Sequence, residues 1–525
     1  MTPNSSPSAP KKMLVLIWLS ALGFFYWLRA PLFSLSFPSG DGGMFAVLIK
    51  DLQQSQFFLP EFTTFNGGQI PFTYPPLSFY LAAALSFLFG FSPEQLLAVL
   101  PALFFAATLS VLIILYSRFS SSVVAILLGL APWLFLIPLW YGFGGGLSRG
   151  LGLFFATTSL LLFVDVFLFQ QFKRWPLLSV CAAGACLSHL ESAVVIACGY
   201  LCFGLFSLTR FDPRTVMSAA IRSLLLLGGL TAPWALLVFS RHGLAPWIAA
   251  AETGIHVGTN ISLHRLFDFS LFGPVWLTAL LWLGLLVALG SIHRVFLAWF
   301  LLLPLALGRS FPMSALLGGS VLVVIGVQSL FTFLEHKFPI TKPRKMIFQA
   351  STLVLLFFAL ANSSSPHRLN QKLPLYPHAD GTAGPSIILS EAWRNSLQKL
   401  STVLLAQEEV VVISDWEPDR TMWFCDWPAE WLPYYAPVRV LNLVQGLEWV
   451  SAEQFFKLRQ AYFERYKPLT QCKTQGYLPQ SQKHLPTLVL ARSNLPNALE
   501  FKSKALECGY TLALEDEMLV VLRAG

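Results

Sequence analysis

The chain has 525 residues, of which 55% are hydrophobic and only 12% charged; its mean hydropathy is +0.62 and its net charge +8. An ordinary soluble domain carries roughly 25% charged residues, so this composition excludes a soluble globular enzyme, a disordered chain and a small secreted disulfide scaffold. Charge is also unevenly placed, at 23 of 323 residues in 13–335 against 33 of 163 in 363–525. The contrast predicts a polytopic α-helical membrane protein with a C-terminal α/β soluble domain. Residues 1–12 form a polar, basic tail, 13–362 the multi-spanning part with a first outer loop at 38–74, and 363–525 an outer-face domain.

The first apolar run starts at Met13 and lacks a small-residue cleavage site, so it reads as a retained span with the N-terminus in the cytoplasm. Eleven further apolar runs follow, the last at 346–362, and a full span needs about 20 residues. Lys11 and Lys12, Lys173 and Arg174, Arg210 and Arg214, Arg294 and Lys337 all belong on the cytoplasmic side by the positive-inside rule. They share one side only if one early run does not cross, and the short run 75–90, which opens on Pro75 and Pro76, is the candidate. About eleven crossings result, with the chain in the plasma membrane and the C-terminal domain outside.

Met44–Phe57 places Phe45, Leu48, Ile49 and Leu52 on one helical face, the pattern of a short helix lying in the interface plane. A second outer loop, about 241–270, carries His256, His264 and Arg265. Beyond a Ser/Pro-rich linker, strand-like runs at Val410–Ser414, Thr487–Ala491 and Met518–Arg523 alternate with helix-like runs at Ala452–Tyr466 and Ala498–Cys508. Four cysteines lie in apolar runs; Cys425, Cys472 and Cys508 allow one internal disulfide, and no spacing suits zinc. No basic stripe with interleaved aromatics is present, so no nucleic acid is expected.

Ionisable groups beside membrane segments are few and therefore informative. Asp41 in SGDGG is either a turn residue or a general base at the membrane surface. Arg149 is either a snorkelling interfacial arginine or a phosphate clamp, because a guanidinium fork matches phosphate oxygens and stays charged. His189 and Glu191 form either a polar hairpin apex or a substrate-contacting pair between helices. Asp165 reads as structural. His256 and Arg265 are either solvated loop residues or contacts to a donor phosphate. The aromatic-rich segment Asp426–Tyr435 packs in the core or meets a saccharide.

A first span, an outer loop with an early acidic residue and an amphipathic segment, then YPPLSFYLA: together these resemble membrane glycosyltransferases of the GT-C superfamily. The dolichyl-phosphate-mannose protein mannosyltransferase-like and 4-amino-arabinose transferase-like groups are the most similar. The resemblance covers about residues 13–360, and the ending ALECGYTLALEDEMLVVLR looks like the outer domain of many members. It implies a polyprenyl-phosphate-linked sugar as donor in the bilayer, a saccharide, lipid or protein acceptor, transfer with inversion, and Asp41 as the catalytic acid of the first loop. Arg149, His189, Glu191, His256 and Arg265 are then the donor- and phosphate-binding candidates. Many relatives have two adjacent acidic residues where this chain has Asp41, Gly42 and Gly43, so a divalent metal lacks a second carboxylate there. The rival classes are a transporter or flippase, against which no inverted repeat is visible, and a non-catalytic scaffold.

Overall fold

The computed structural model describes residues 41–136, 146–256, 275–306, 311–337, 375–377, 383–385, 391–413, 427–475, 485–491 and 498–524, with 69, 444 and 517 apart, and five positions before residue 41. The expected span at 346–362 lies outside the described residues, as does most of that at 13–35. Helix α1 covers Gly42–Gln54, and a small hairpin follows, β1 (Phe62–Thr63) against β2 (Ile70–Pro71). Then come α2 (Leu77–Phe89), α3 (Pro93–Ser117), α4 (Val123–Leu136) and α5 (Gly146–Phe163), which runs on into a π-turn at Val164–Leu168. Next are α6 (Trp175–Ser188), α7 (Leu190–Leu208), α8 (Pro213–His242), α9 (Ala245–His256), α10 (Val275–Leu289), α11 (Arg294–Ala306) and α12 (Phe311–Lys337). Five described helices are long and apolar enough to cross a membrane, namely α3, α5 with its π-turn, α7, α8 and α12.

Side-chain contacts sort the helix ends onto two faces. On one face, Arg149 at the start of α5 meets Asp41, and Arg241 and His242 at the end of α8 bond the carbonyls of Leu59 and Glu61 in the first loop. On the opposite face, the fully buried Asp165 pairs with Arg118 at 3.3 Å and with Arg174, while Arg210 and Arg294 both lie over the ring of Phe206. Asp165 is therefore structural, holding together the ends of α3, α5 and α6. Helix α2 enters and leaves on the first face: Tyr74 before it and Glu94 after it both bond residues of the C-terminal domain, Glu448 and Tyr435. Its 13 residues reach about 20 Å, short of the roughly 30 Å hydrocarbon core.

The C-terminal domain contains a hairpin, β3 (Leu375–Pro377) with β4 (Ala383–Pro385), and a five-stranded mixed sheet. Strands β5 (Glu409–Ile413), β6 (Arg439–Val440), β7 (Thr487–Ala491), β8 (Tyr510–Glu515) and β9 (Leu519–Ala524) lie in the order β6-β5-β7-β9-β8. The first three are parallel and the last two join antiparallel. Helices α13 (Glu391–Val403), α14 (Trp427–Tyr435), α15 (Ala452–Gln475) and α16 (Ala498–Glu507) complete it. Cys508 is disulfide-bonded.

Helix α1 is buried within the protein: every residue from Gly42 to Ile49 is buried, as are Asp51 and Leu52. Helix α14 of the C-terminal domain packs on α1, and its Trp431 is itself fully buried. Lys50 donates to the Tyr434 carbonyl and sits 3.9 Å over its ring, and burial pulls its ammonium pKa below the usual lysine value. Asp51 accepts from the Thr63 hydroxyl at 2.6 Å and the Thr64 amide at 2.9 Å, tying α1 to the hairpin. The approach to α14 is closest at Gly43, where a Cβ would stand 2.2 Å from the Glu430 carbonyl oxygen. That obstacle is backbone and cannot turn aside. Gly43→Ala is expected to destabilise the protein by about 3 kcal/mol, the upper end for overpacking a rigid core. Thermal unfolding in detergent reads the effect, and an unchanged midpoint would show that α14 yields.

Candidate active site

Asp41 precedes the first turn of α1 in a left-handed conformation, φ 70°, which aspartate tolerates better than most residues. Its carbonyl accepts from the Phe45 amide at 2.9 Å, but its carboxylate makes no capping bond. The carboxylate faces Arg149, with Oδ2 3.6 Å from the guanidinium; both side chains are about a quarter exposed, at 24% and 27%. Two segments far apart in sequence thus bring a base-type and a clamp-type residue together at the rim of the bundle.

Arg149 lies in the first turn of α5, and three residues on, about one helical turn, is Gly152. A Cβ on Gly152 would stand 2.9 Å from the Cβ of His189 and 2.6 Å from the Ser192 hydroxyl. The glycine lets the junction of α6 and α7 close onto α5, setting His189 one turn below Arg149. The His189 imidazole lies 3.8 Å from Glu191, and the two are 14% and 31% exposed. Asp41, Arg149, His189 and Glu191 therefore belong to one region. His256 ends α9 rather than lying in a loop, but its side chain, like all of Arg265, lies outside the described residues. Helix α9 packs on the turn Leu447–Trp449 of the C-terminal domain.

That turn supplies what sequence reasoning missed. Tyr74, just before the two prolines, donates its hydroxyl to Glu448, and its ring lies 4.7 Å from that of Trp449. Burial, then the charges of Glu448 and Asp41, push the Tyr74 phenol well above its ordinary value of 10.0, with Arg149 opposing. Tyr74 thus stays a hydrogen-bond donor throughout the neutral range. Three buried polar atoms beside it, Thr73 Oγ1, Ser78 Oγ and Trp449 Nε1, have no hydrogen-bond partner among the described residues. Each such group costs roughly 1–3 kcal/mol unless something polar meets it. Nothing in YPPL announced Glu448, 374 positions away. Among the described residues no group of three His, Cys, Asp or Glu side chains is arranged to hold a metal.

No family model and no curated protein matches the sequence. Solved structures do. The archaeal oligosaccharyltransferase AglB from Archaeoglobus fulgidus, in complex with an inhibitory peptide and a dolichol-phosphate, superposes with a TM-score of 0.57 at 13% identity, covering 94% of this chain and 71% of its own. ArnT from Cupriavidus metallidurans in the apo state matches over 97% of both chains with a TM-score of 0.51 and 13% identity. The arabinofuranosyltransferase AftD from Mycobacteria matches 99% of this chain and 40% of its own, with a TM-score of 0.52 and 14% identity. This chain shares the fold of these solved structures, a helical membrane part with a C-terminal mixed sheet.

Tyr74 carries a pH signature. In the unfolded chain its phenol ionises near 10.0, whereas the folded site holds the proton more tightly. Its contribution to stability is therefore complete below pH 10 and is lost as pH rises above that value. Tyr74→Phe is expected to lower the melting temperature at pH 7 and to flatten its decline above pH 10. Parallel slopes for the two proteins would mean that Tyr74 ionises as it does in water.

Proposed function

We propose that this chain is an integral membrane glycosyltransferase that moves a sugar from a polyprenyl-phosphate donor to an acceptor hydroxyl. The observation that carries this reading is the Asp41–Arg149 pair, 3.6 Å apart, on the face of the bundle that the C-terminal domain covers. The dolichol-phosphate bound by the archaeal oligosaccharyltransferase is itself a polyprenyl phosphate, and it supports that class of donor. The acceptor is a saccharide, lipid or protein.

In this reading Asp41 removes the proton from the acceptor hydroxyl as its oxygen attacks the anomeric carbon. The bond from that carbon to the phosphate oxygen breaks on the opposite side, which inverts the centre, and the electron pair leaves with polyprenyl phosphate. The phosphodiester carries one negative charge and the departing monoester gains a second. Arg149, already turned toward this place, holds the growing charge, which is where a fixed guanidinium is worth most. His189 and Glu191 orient the donor from one helical turn below. Tyr74 and the unpartnered groups beside it offer hydrogen bonds to the sugar or the acceptor.

Charge and redox chemistry support an outer-face orientation for the site. Arg118, Lys173, Arg174, Arg210 and Arg294 gather at the opposite face, as expected of the cytoplasmic one. The bonded Cys508 fits an oxidising compartment. The multi-spanning part, 13–362, would hold the donor, and the domain at 363–525 would cover the site from outside.

Proteoliposomes supplied with a panel of radiolabelled polyprenyl-phosphate sugars and cell-envelope acceptors test the reading. Asp41→Asn is expected to lower transfer at least ~100-fold, the usual weight of a general base. Arg149→Lys, which keeps the charge but loses the planar fork, is expected to retain more activity than Arg149→Ala. Full transfer by Asp41→Asn would remove the base assignment.

A further inference from the structure

We propose that Glu430 of the C-terminal domain is a positioning residue for Asp41, freeing its carboxylate to face Arg149. The proposal rests on the catalytic reading of Asp41 for its functional meaning, but the geometry stands on its own.

An aspartate directly before a helix normally turns its carboxylate inward. It accepts a hydrogen bond from the backbone N–H of the second or third helical residue, satisfying one of the four unpaired donors of the first turn. Asp41 occupies that position and does not do so. The second helical residue is Gly43, and its N–H donates at 2.8 Å to Oε1 of Glu430, 387 positions along the chain. Glu430 is 1% exposed, so this bond is sheltered from water. The N-terminal end of a helix also favours an acceptor oxygen, and Glu430 supplies one. The bond that Asp41 would make with its own helix is already taken.

Three features hold the arrangement. Gly43 has no Cβ, which permits the approach of α14. The left-handed backbone at Asp41 aims the side chain away from the helix end. Lys50, two turns along α1, anchors the same two helices through Tyr434. The C-terminal domain thereby acquires a role in the site: its docking determines which of two partners the Asp41 carboxylate takes. Without Glu430, the Gly43 N–H loses its acceptor in a buried place, and an inward turn of Asp41 would supply one. Swinging inward would take Asp41 from Arg149.

The exposure of Arg149 to a guanidinium reagent reports this directly. The full chain in nanodiscs is treated with phenylglyoxal, and modification of Arg149 is followed by mass spectrometry. Loss of the ion pair in Asp41→Asn is expected to speed labelling about fivefold, the scale of a partly exposed ion pair. Glu430→Ala should match that increase, while Glu430→Gln, which keeps an acceptor oxygen for Gly43, should label like wild type. In the Asp41→Asn background, Glu430→Ala should add nothing further. If Glu430→Ala does not fold, Glu430→Leu fills the volume without an acceptor and takes its place.

The proposal is overturned if the alanine or leucine variant labels at the wild-type rate. It is equally overturned if that variant adds the same increment when Asp41 is already Asn, since general loosening would do that. Undecaprenyl phosphate, added as the probe, separates this from the catalytic reading. If the labelling pattern holds but the lipid phosphate does not protect Arg149 in any variant, Glu430 positions Asp41 and the transferase reading is wrong.

Discussion

Helix α1 is buried over most of its length, and the rest of the structure is arranged around that fact. Met44, Phe45, Val47, Leu48, Ile49 and Leu52 are all at most 3% exposed, in one hydrophobic core with residues of α2, α3, α14 and the sheet. Burying six such side chains stabilises by something on the order of 10 kcal/mol, comparable to the whole stability of a domain. The membrane bundle and the C-terminal domain are therefore not two bodies joined by a linker. They share a core, and the helix in its centre begins at Asp41.

A shared core also explains why so many polar groups meet at this junction. Glu94, at the start of α3, is nearly buried and accepts from Tyr435 at 3.1 Å, with Arg394 at 3.9 Å. Asn66 in the first loop exchanges two hydrogen bonds with the backbone of Val440, completing the edge of the sheet with a side chain. Tyr74 reaches Glu448. Each contact is modest alone, but a buried donor or acceptor is costly to leave unpaired. The set selects one docking geometry among the many that an apolar surface would allow, and a carboxylate that must meet an arginine on another segment needs that selectivity.

Much of this was legible in the sequence, and the remainder had a physical reason to be hidden. Spans, cation-bearing ends and the strand runs follow from composition and periodicity, which act within a few turns. The short helix after the first loop, opened by two prolines, was legible because such a pair suits a helix entry. Asp41 and Arg149 stood out because ionisable groups are scarce beside apolar runs. The amphipathic pattern of α1 revealed an apolar face but could not say what covers the polar one. Water, headgroups and α14 are equally consistent with Lys50, Asp51 and Gln53. Glu430 and Glu448 sit in a segment with ordinary charge density, where a carboxylate has no reason to be noticed. Their importance comes from contacts across more than 370 positions, and no local rule reaches that far.

The Asp41–Arg149 pair places two functions in competition, and the chemistry proposed here resolves it. Without donor, the carboxylate and guanidinium partly neutralise each other at a half-wet rim, where an ion pair is worth little. A phosphate presents more acceptor oxygens than a carboxylate, and its charge doubles as the sugar leaves. The guanidinium thus gains most by turning to the donor at the point of reaction. In that reading Asp41 is then relieved of its partner as donor and acceptor fill the site. Substrate binding in this scheme assembles the clamp and frees the base in one movement. The scheme also requires that Asp41 have no third partner to retreat to. Its own helix end is the obvious one, and Glu430 already occupies it.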